Sequence, residues 1–478
     1  MSFDIILNEK KVYEKSYILL LIISIIHLFI SIKYHKIFHV DDGWILSLYY
    51  NIVHHGKNIS IAAGNSMELV AGYQAYLYEY FILMMNENVY AYRLLSSLFG
   101  TVCLFLVYKI VYLQTNSKNI SMVCTICISL LELFVQNSHS ARTDIIILLF
   151  HLLSVYILLQ AQNNKTIFLS SFVGALSITI HPLGMISFAS MAGIIIHKRY
   201  FRLSKIIIYG FLGSIFGLLI GYSNRINYFM NWGDAVNSIQ TVRLDFFDFI
   251  LKNFSLLNIS QYHRFYIFIL FIIIGFYLFF YRKHNKNIFL FIFLMDLLFY
   301  IILGRANDNY FTNIFVFLIL FIFSHKKIQF IFVPYIIYHI LFWGFVFHKY
   351  GSSNSMTYAN DLKRSINMCE NKNYLIVGLI NDWNAFRSTN FRAYRSSGWP
   401  GNWQKELDNY NKVIFLVGAD SKDKIYELPK NIINKIKIKK DIVIKNIYSF
   451  ESGLDGTMGK YHDGITYVFC CEILPEKL

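Results

Sequence analysis

The sequence predicts a polytopic helical membrane protein, and three observations lead to this fold class. Hydrophobic residues make up 56% of the 478 residues and charged residues only 15%, whereas soluble domains carry about 25% charged residues. Apolar segments follow one another along most of the chain, and the turns between alternate segments are rich in lysine and arginine. A bilayer can act as the solvent for such a composition, and water cannot.

The first apolar segment, residues 17–32, follows a polar N-terminus and has no small-residue cleavage site after it. It is therefore predicted to be a retained membrane helix rather than a signal peptide. Further apolar segments bring the expected number of transmembrane helices to about eleven, which together form a transmembrane domain over residues 1–348. These further segments cover residues 89–113, 119–135, 143–160, 166–180, 183–197, 205–221, 265–281, 287–304, 309–324 and 328–348.

The charges of the turns predict the orientation of the chain. With a cytoplasmic N-terminus, the basic turns at Lys118, Lys165 and Lys198 all face the cytoplasm. Residues 67–85 are nearly long enough to break this alternation, but their glutamates and tyrosines suit an interface, so we interpret them as a juxtamembrane helix. The chain is thus expected to cross the plasma or inner membrane several times, with its C-terminal part on the extracytoplasmic side.

Residues 349–478 are predicted to form a small soluble α/β domain. Strand-like runs, separated by polar loops, occur at residues 374–380, 413–417, 442–448 and 465–473. Cys369, Cys470 and Cys471 also lie in this region. A vicinal pair rarely bonds to itself, so a bridge from Cys369 to either neighbour and no bridge at all remain open.

The most informative segment follows the first membrane helix. Apolar residues at positions 44, 45, 48, 49, 52 and 53 have helical spacing, which predicts an interfacial helix that ends at Gly56. Asp41 and Asp42 stand at its start. Asp42 is predicted to cap the free backbone N–H groups, which leaves Asp41 without a structural duty. The alternative is that both acids form a capping pair.

This acidic pair and the helix after it resemble the GT-C superfamily of membrane glycosyltransferases. The nearest branch is the protein O-mannosyltransferase and aminoarabinose transferase group, glycosyltransferase family 39, which usually shows Asp-Glu where this chain has Asp41-Asp42. Further segments are similar to motifs of that group, in the same order and on the same side of the membrane. These segments are residues 92–100, 141–144, 181–184 and 304–310.

The resemblance implies a GT-C fold and an inverting transfer of a sugar from a polyprenyl-phosphate donor to a glycan, lipid or protein acceptor outside the cytoplasm. Carboxylates would serve as the base, and arginines would bind the phosphate oxygens in pairs. The implied catalytic residues are Asp41, Asp42 and Glu68. The implied substrate- and phosphate-binding residues are Arg93, Arg142, His181, Arg305 and Tyr310. No metal-ligand spacing appears, and a divalent cation is the only cofactor left open.

Several of these residues also have a structural alternative. Glu68 has a favourable charge for a helix N-terminus. The arginines have the length to snorkel from helix ends to the interface. Asp144 can orient Arg142 or cap the helix that follows, and His181, before a proline, can be a turn residue.

Other functions fit the sequence less well. A transporter or flippase of lipid-linked sugars is the alternative, but transporters place ionisable groups near the bilayer midplane and show repeated halves. A membrane scaffold would leave the acidic pair and the arginines unexplained. Nucleic acid is excluded as a partner, because the net charge of +15 is spread over short turns and forms no single stripe.

Overall fold

The computed structural model divides the chain into two compact units. The helical unit consists of Met1–Phe29, Arg93–His139 and Thr143–Trp343, and the mixed unit of Ile30–Tyr92, Ser140–Arg142 and Gly344–Leu478. The described residues are 16–30, 40–56, 73–88, 91–160, 163–198, 203–223, 287–303, 311–324, 332–350, 355–369, 374–379, 383–387, 390–394, 402–418, 425, 428, 430–445 and 465–474. The predicted boundary between residues 348 and 349 stays a prediction.

Helices cover every predicted membrane segment except residues 265–281, which lie outside the described residues. The described helices up to residue 350, including α2 and α3 between the first two membrane segments, are α1 Ser16–Ile30, α2 Val40–His55, α3 Gln74–Met84, α4 Ala91–Thr115, α5 Lys118–Leu130, α6 Glu132–Asn137, α7 Asp144–Gln160, α8 Asn164–Ile180, α9 Ile186–Lys198, α10 Leu203–Gly221, α11 Ile288–Leu303, α12 Phe311–Phe323 and α13 Phe332–Tyr350. In the described part, Ala91–Thr115 and Ser204–Gly221 are long and apolar enough to cross a membrane on their own. The number of crossings stays a prediction.

The helical unit exposes many large apolar side chains and buries many polar ones. On α1, Ile18, Leu21 and Ile25 are each more than half exposed, and on α10 Phe211 is 65% exposed. Asp296, in contrast, is completely buried in α11. This distribution is expected for helices that face lipid, because water would penalise the exposed apolar surface and favour exposed polar groups.

The predicted segment 119–135 is interrupted at Leu131, whose backbone is extended between α5 and α6. The last carbonyl groups of α5 then find partners on side chains. Tyr335 Oη donates to the Cys127 carbonyl at 2.8 Å, and Trp343 Nε1 donates to the Leu130 carbonyl at 3.0 Å. The break is tolerated because carbonyl groups freed at the end of a helix are satisfied by neighbouring helices.

Glycines allow α10 to pack closely against α8. Gly213, Gly217 and Gly221 recur every four residues and face the backbone carbonyls of Phe168 and Phe172 and the side chain of Thr179. Small residues at this spacing let two helices approach at the backbone, which is a common way for helices to associate in a membrane.

Replacing Gly217 with alanine should destabilise this pair of helices. The added Cβ would lie 2.5 Å from the Phe172 carbonyl oxygen, and overpacking of this kind costs about 1–3 kcal/mol. The measurement is thermal unfolding of the purified protein in detergent. Gly210→Ala is the matched control, because its Cβ would meet Ser171 Oγ at an ordinary 3.5 Å. Equal melting temperatures for both variants would contradict the close approach.

The C-terminal residues of the mixed unit form a five-stranded sheet in the order β2-β1-β3-β5-β4. The strands are β1 Tyr374–Leu379, β2 Phe391–Tyr394, β3 Lys412–Gly418, β4 Ile436–Lys445 and β5 Ile465–Ile473. β1 pairs in parallel with β2 and β3, while β5 is antiparallel to β3 and β4. The predicted strand segments 374–380, 413–417 and 465–473 correspond to β1, β3 and β5. The predicted segment 442–448 overlaps only the end of β4, which begins at Ile436, and β2 was not predicted.

Strand alternation decides which of the vicinal cysteines forms a disulfide. Successive residues of β5 point to opposite faces of the sheet. Cys470 is bonded to Cys369, which follows the helix α14, Ser355–Asn367. Cys471 lies in the apolar core on the other face, where burial raises the pKa of its thiol to about 12. The open question of the bridge is thus answered in favour of Cys369–Cys470.

The edge strand β4 exposes a row of lysines, which discourages pairing with another chain. Lys439 Nζ lies 2.8 Å from Glu472 Oε2 of β5. This hydrogen bond lowers the pKa of the Glu472 carboxyl. Both side chains are close to half exposed, so solvent screens the pair and it adds little to stability.

Candidate active site

The acidic pair lies in the first turn of α2. The helix is described from Val40, so the prediction that Asp42 precedes it as the N-cap is wrong. Val40 extends the apolar pattern to the N-terminal side of the pair, and carboxylates are favourable within a first turn because its N–H groups are free. The predicted end is confirmed, since Gly56 has a φ of 63° and donates to the Ile52 carbonyl at 3.1 Å.

The central residues of α2 are buried against other parts of the protein. Leu48, Tyr49 and Ile52 are each at most 5% exposed, and the helix packs against α3. The ring of Tyr49 lies 5.7 Å from that of Tyr78 on α3. The apolar spacing that predicted this helix therefore corresponds to its packed face, and the acids are held at the start of a well-packed element.

Arg142 lies in the turn before α7, whose first residue is Asp144. Its side chain is only 7% exposed. The short segment Ser140–Arg142 groups with the mixed unit, which also holds α2, although the residues on both sides of it belong to the helical unit. An arginine that snorkels would leave the protein surface for the interface, so the burial of Arg142 argues against that alternative.

Arg93 lies in the first turn of α4 and is only 3% exposed. Protein rather than lipid headgroup therefore covers its side chain, and the snorkelling alternative is weakened for this arginine also. Arg93 belongs to the helical unit. Its predicted outer location and its binding of phosphate both stay predictions.

His181 has a local structural duty. It precedes the short 3₁₀ helix Pro182–Met185, and its Nδ1 accepts a hydrogen bond from the Leu183 N–H at 3.2 Å. Gly184 in the same turn approaches the Ser177 backbone so closely that a Cβ would overlap it. The structural alternative for His181 is therefore realised, while its proposed contact with substrate stays a prediction.

Three of the predicted site residues, Glu68, Arg305 and Tyr310, lie outside the described residues. The side chains of Asp41 and Asp42 are likewise not described. Among the residues that the structure describes, no group of three or more His, Cys, Asp or Glu side chains could hold a metal ion. Of the predicted site residues that the structure describes, Asp41, Asp42 and Arg142 belong to the mixed unit, and Arg93 and His181 belong to the helical unit.

Sequence reasoning missed an ionic cluster in the mixed unit. Glu79 of α3 is completely buried, and its Oε1 accepts from Arg387 Nη2 and from His54 Nε2, the latter at 2.8 Å. Glu79 is one of the glutamates of the predicted juxtamembrane helix, residues 67–85. No sequence signal connects it to Arg387, which lies 308 residues further along the chain.

A second missed cluster joins four helices of the helical unit. Ser190 Oγ donates to Asp296 Oδ1 at 2.7 Å and accepts from His151 Nε2, and His151 Nδ1 lies 3.1 Å from Asn313 Oδ1. All four side chains are buried. Polar contacts of this kind hold membrane helices together. The available signal was an ionisable residue within an apolar segment.

These features define a helical membrane protein that places acidic and basic residues at the starts of its helices. Comparisons with known proteins make the class more specific. The family model for dolichyl-phosphate-mannose-protein mannosyltransferase matches residues 66–203. The crystal structure of ArnT from Cupriavidus metallidurans bound to undecaprenyl phosphate is similar at a TM-score of 0.58. That match covers 95% of this chain and 97% of ArnT, with 8% sequence identity. No curated protein sequence matches the chain.

The likeness to ArnT extends over nearly the whole chain and shows the fold, that of a helical membrane protein. Together with the family model, it confirms the predicted resemblance to the GT-C superfamily of glycosyltransferases. The segment matched by the family model includes Arg93, Arg142 and His181.

Proposed function

We propose that this chain is a membrane glycosyltransferase that moves a sugar from a polyprenyl-phosphate donor to an acceptor outside the cytoplasm. The observation that carries the proposal is the near-complete structural match to an ArnT that is bound to undecaprenyl phosphate. The mannosyltransferase family model supports the same reaction class over residues 66–203.

The reaction would proceed by direct displacement. The Asp41 carboxylate removes the proton from an acceptor hydroxyl, and the hydroxyl oxygen attacks the anomeric carbon of the donor sugar. The bond from that carbon to the phosphate oxygen breaks, and the configuration is inverted. Arg142 and Arg93, with Arg305, bind the phosphate as it leaves, because a guanidinium fork can bind two phosphate oxygens at once. The leaving group is the polyprenyl phosphate.

The proposed side of the membrane has support from the C-terminal residues. The Cys369–Cys470 disulfide is a bond that persists in oxidising compartments and is rare in the cytosol. This agrees with the basic turns, which favour a cytoplasmic N-terminus and an extracytoplasmic C-terminal region, residues 349–478, called the tail below. The acceptor would therefore be a lipid glycan, a surface polysaccharide or a protein of the cell envelope.

Proteoliposomes that contain the purified chain and a series of undecaprenyl-phosphate monosaccharides test the function. With envelope material as acceptor, one donor should release undecaprenyl phosphate, and release should scale with the fraction of tails that added protease can cleave. A donor that crosses the bilayer intact would favour the flippase instead. No release from any donor, or release only where the tail is protected from protease, would contradict the reaction or its side.

A further inference from the structure

We propose that Glu79 and Arg387 form a positioning pair, through which the C-terminal residues hold the acid-bearing helix α2 in place for sugar transfer. This inference rests on the proposed function, because it assigns the tail a part in that reaction. Neither residue belongs to the predicted site. All the contacts that support the inference lie within the mixed unit.

The pair is buried and makes a direct contact with α2. The Glu79 side chain is 0% exposed and that of Arg387 10%. The carboxylate oxygen that accepts from Arg387 also accepts from His54, in the last turn of α2. Glu79 thus connects the C-terminal end of α2 to a residue of the tail, while Glu79 itself belongs to the neighbouring helix α3.

The tail makes a second contact with the same helix. The Arg387 guanidinium lies 5.6 Å from the centre of the Tyr50 ring, and the Trp383 ring lies 5.8 Å from it. Tyr50 and His54 are four residues apart, so they lie on one face of α2. The tail residues therefore hold α2 at two points of a single face, by an aromatic contact and by the ion pair.

A helix transmits this restraint along its length. His54 lies thirteen residues after Asp41, which corresponds to about 20 Å along a helix axis. A helix of this length moves as a rigid body, so a shift or rotation at His54 displaces the acidic first turn as well. Misplacement of reacting groups by about 1 Å can lower a rate by about 10²-fold. The restraint at one end can therefore affect chemistry at the other.

The backbone at Arg387 supports a specific need for this side chain. Arg387 has a φ of 47° and follows the short helix Trp383–Phe386, with its N–H bonded to the Trp383 carbonyl at 2.8 Å. Glycine is the usual residue at such a left-handed helix end, because other residues are strained there. The presence of an arginine at this position is consistent with a role for its side chain.

Stability alone does not account for a buried ion pair. Removing charges from water is costly, and well-packed apolar residues often stabilise a protein as well or better. The charged pair instead makes the packing of α2 more specific. A buried carboxylate without its cationic partner is costly, so arrangements that separate Glu79 from Arg387 are disfavoured. The pair would thus select one placement of α2 relative to the tail residues 383–387.

Glu79→Gln tests the pair in the full-length protein. It keeps the side-chain size and removes the charge, so hydrogen–deuterium exchange in residues 40–55 should rise. The rate constant kcat should fall about 10- to 100-fold while KM for the donor changes little. Arg387→Lys should retain most of kcat, because a single donor still reaches Oε1. Glu472→Gln, which breaks the exposed Lys439 pair, is the matched control and should leave both readouts unchanged.

A double variant, Glu79→Gln with Arg387→Gln, shows whether the two residues affect kcat through their contact with each other or independently. If the residues act through each other, it loses no more kcat than the worse single variant. Wild-type exchange and kcat in Glu79→Gln, or losses that add in the double variant, would overturn the inference. If Glu79→Gln does not fold, the graded series Arg387→Lys and Arg387→Gln provides the same comparison. The exchange measurement remains decisive even if the chain transfers no sugar.

Discussion

Replacing Asp41 with asparagine is expected to lower sugar transfer by about 10²–10⁴-fold, the usual contribution of a general base. Asparagine is nearly the same size and can still accept a hydrogen bond, but it takes no proton at neutral pH. The fold and the binding of undecaprenyl phosphate should therefore survive. The measurement is the transfer rate of the purified variant, with lipid binding and thermal unfolding recorded on the same preparation.

Asp42→Asn is the matched control for this experiment. Both acids lie in the first turn of α2, so both contribute to the charge at that helix end, and capping no longer separates their roles. Neighbouring residues of a helix point about 100° apart, so a single acceptor hydroxyl can meet only one of them directly. We expect the smaller loss from Asp42→Asn. A larger loss there would exchange the two roles, and near-normal transfer by both variants would remove the pair from the mechanism.

The helices of this fold were largely predictable because a segment that faces lipid must be apolar along its whole length. Their interruptions were not. The break at Leu131 depends on the side chains of Tyr335 and Trp343, which lie more than 200 residues away and donate hydrogen bonds to carbonyl groups of α5. The glycines of α10 were visible in the sequence, but their partner helix was not.

The short strand β2 shows a different limit. Phe391–Tyr394 has four residues, and its place is set by parallel pairing with β1 rather than by its own pattern. The longer strands carry enough apolar residues to be recognised locally. For the cysteines, the sequence left the pairing open because alternation along β5 matters only once the face of the sheet that α14 covers is known.

The candidate site divides in the same way. Motifs of neighbouring residues, such as Arg142 with Asp144 or His181 with Pro182, can be recognised because the chain itself holds them together. Glu79 and Arg387 meet only in the folded protein. The same is true of His151 and Asp296, whose side chains approach to 3.7 Å from different helices. The sequence indicates that such buried charges need partners, but it does not say which.

Arg142→Lys is expected to weaken the binding of undecaprenyl phosphate by about 10- to 100-fold, because hydrogen bonds to charged groups contribute about 1.5–3 kcal/mol each. Lysine keeps the charge but loses the planar fork that binds two phosphate oxygens. Arg142 is suited to this role by its position, since it is covered by protein and its turn groups with the unit that holds the acidic helix. Binding can be measured by titrating the purified protein with undecaprenyl phosphate.

Arg364→Lys provides the matched control, because Arg364 is an exposed arginine on the helix Ser355–Asn367. Its affinity for the lipid should equal that of the wild type. Undecaprenol lacks the phosphate group. If the loss in Arg142→Lys arises at the phosphate, undecaprenol should bind the wild-type protein and Arg142→Lys equally weakly. Unchanged binding of undecaprenyl phosphate by a folded Arg142→Lys protein would mean that charge alone suffices or that Arg142 is structural. An added Arg142→Gln variant separates these two outcomes. If Arg142 binds the phosphate, this variant loses affinity for undecaprenyl phosphate and keeps its melting temperature. If Arg142 is structural, the melting temperature falls instead.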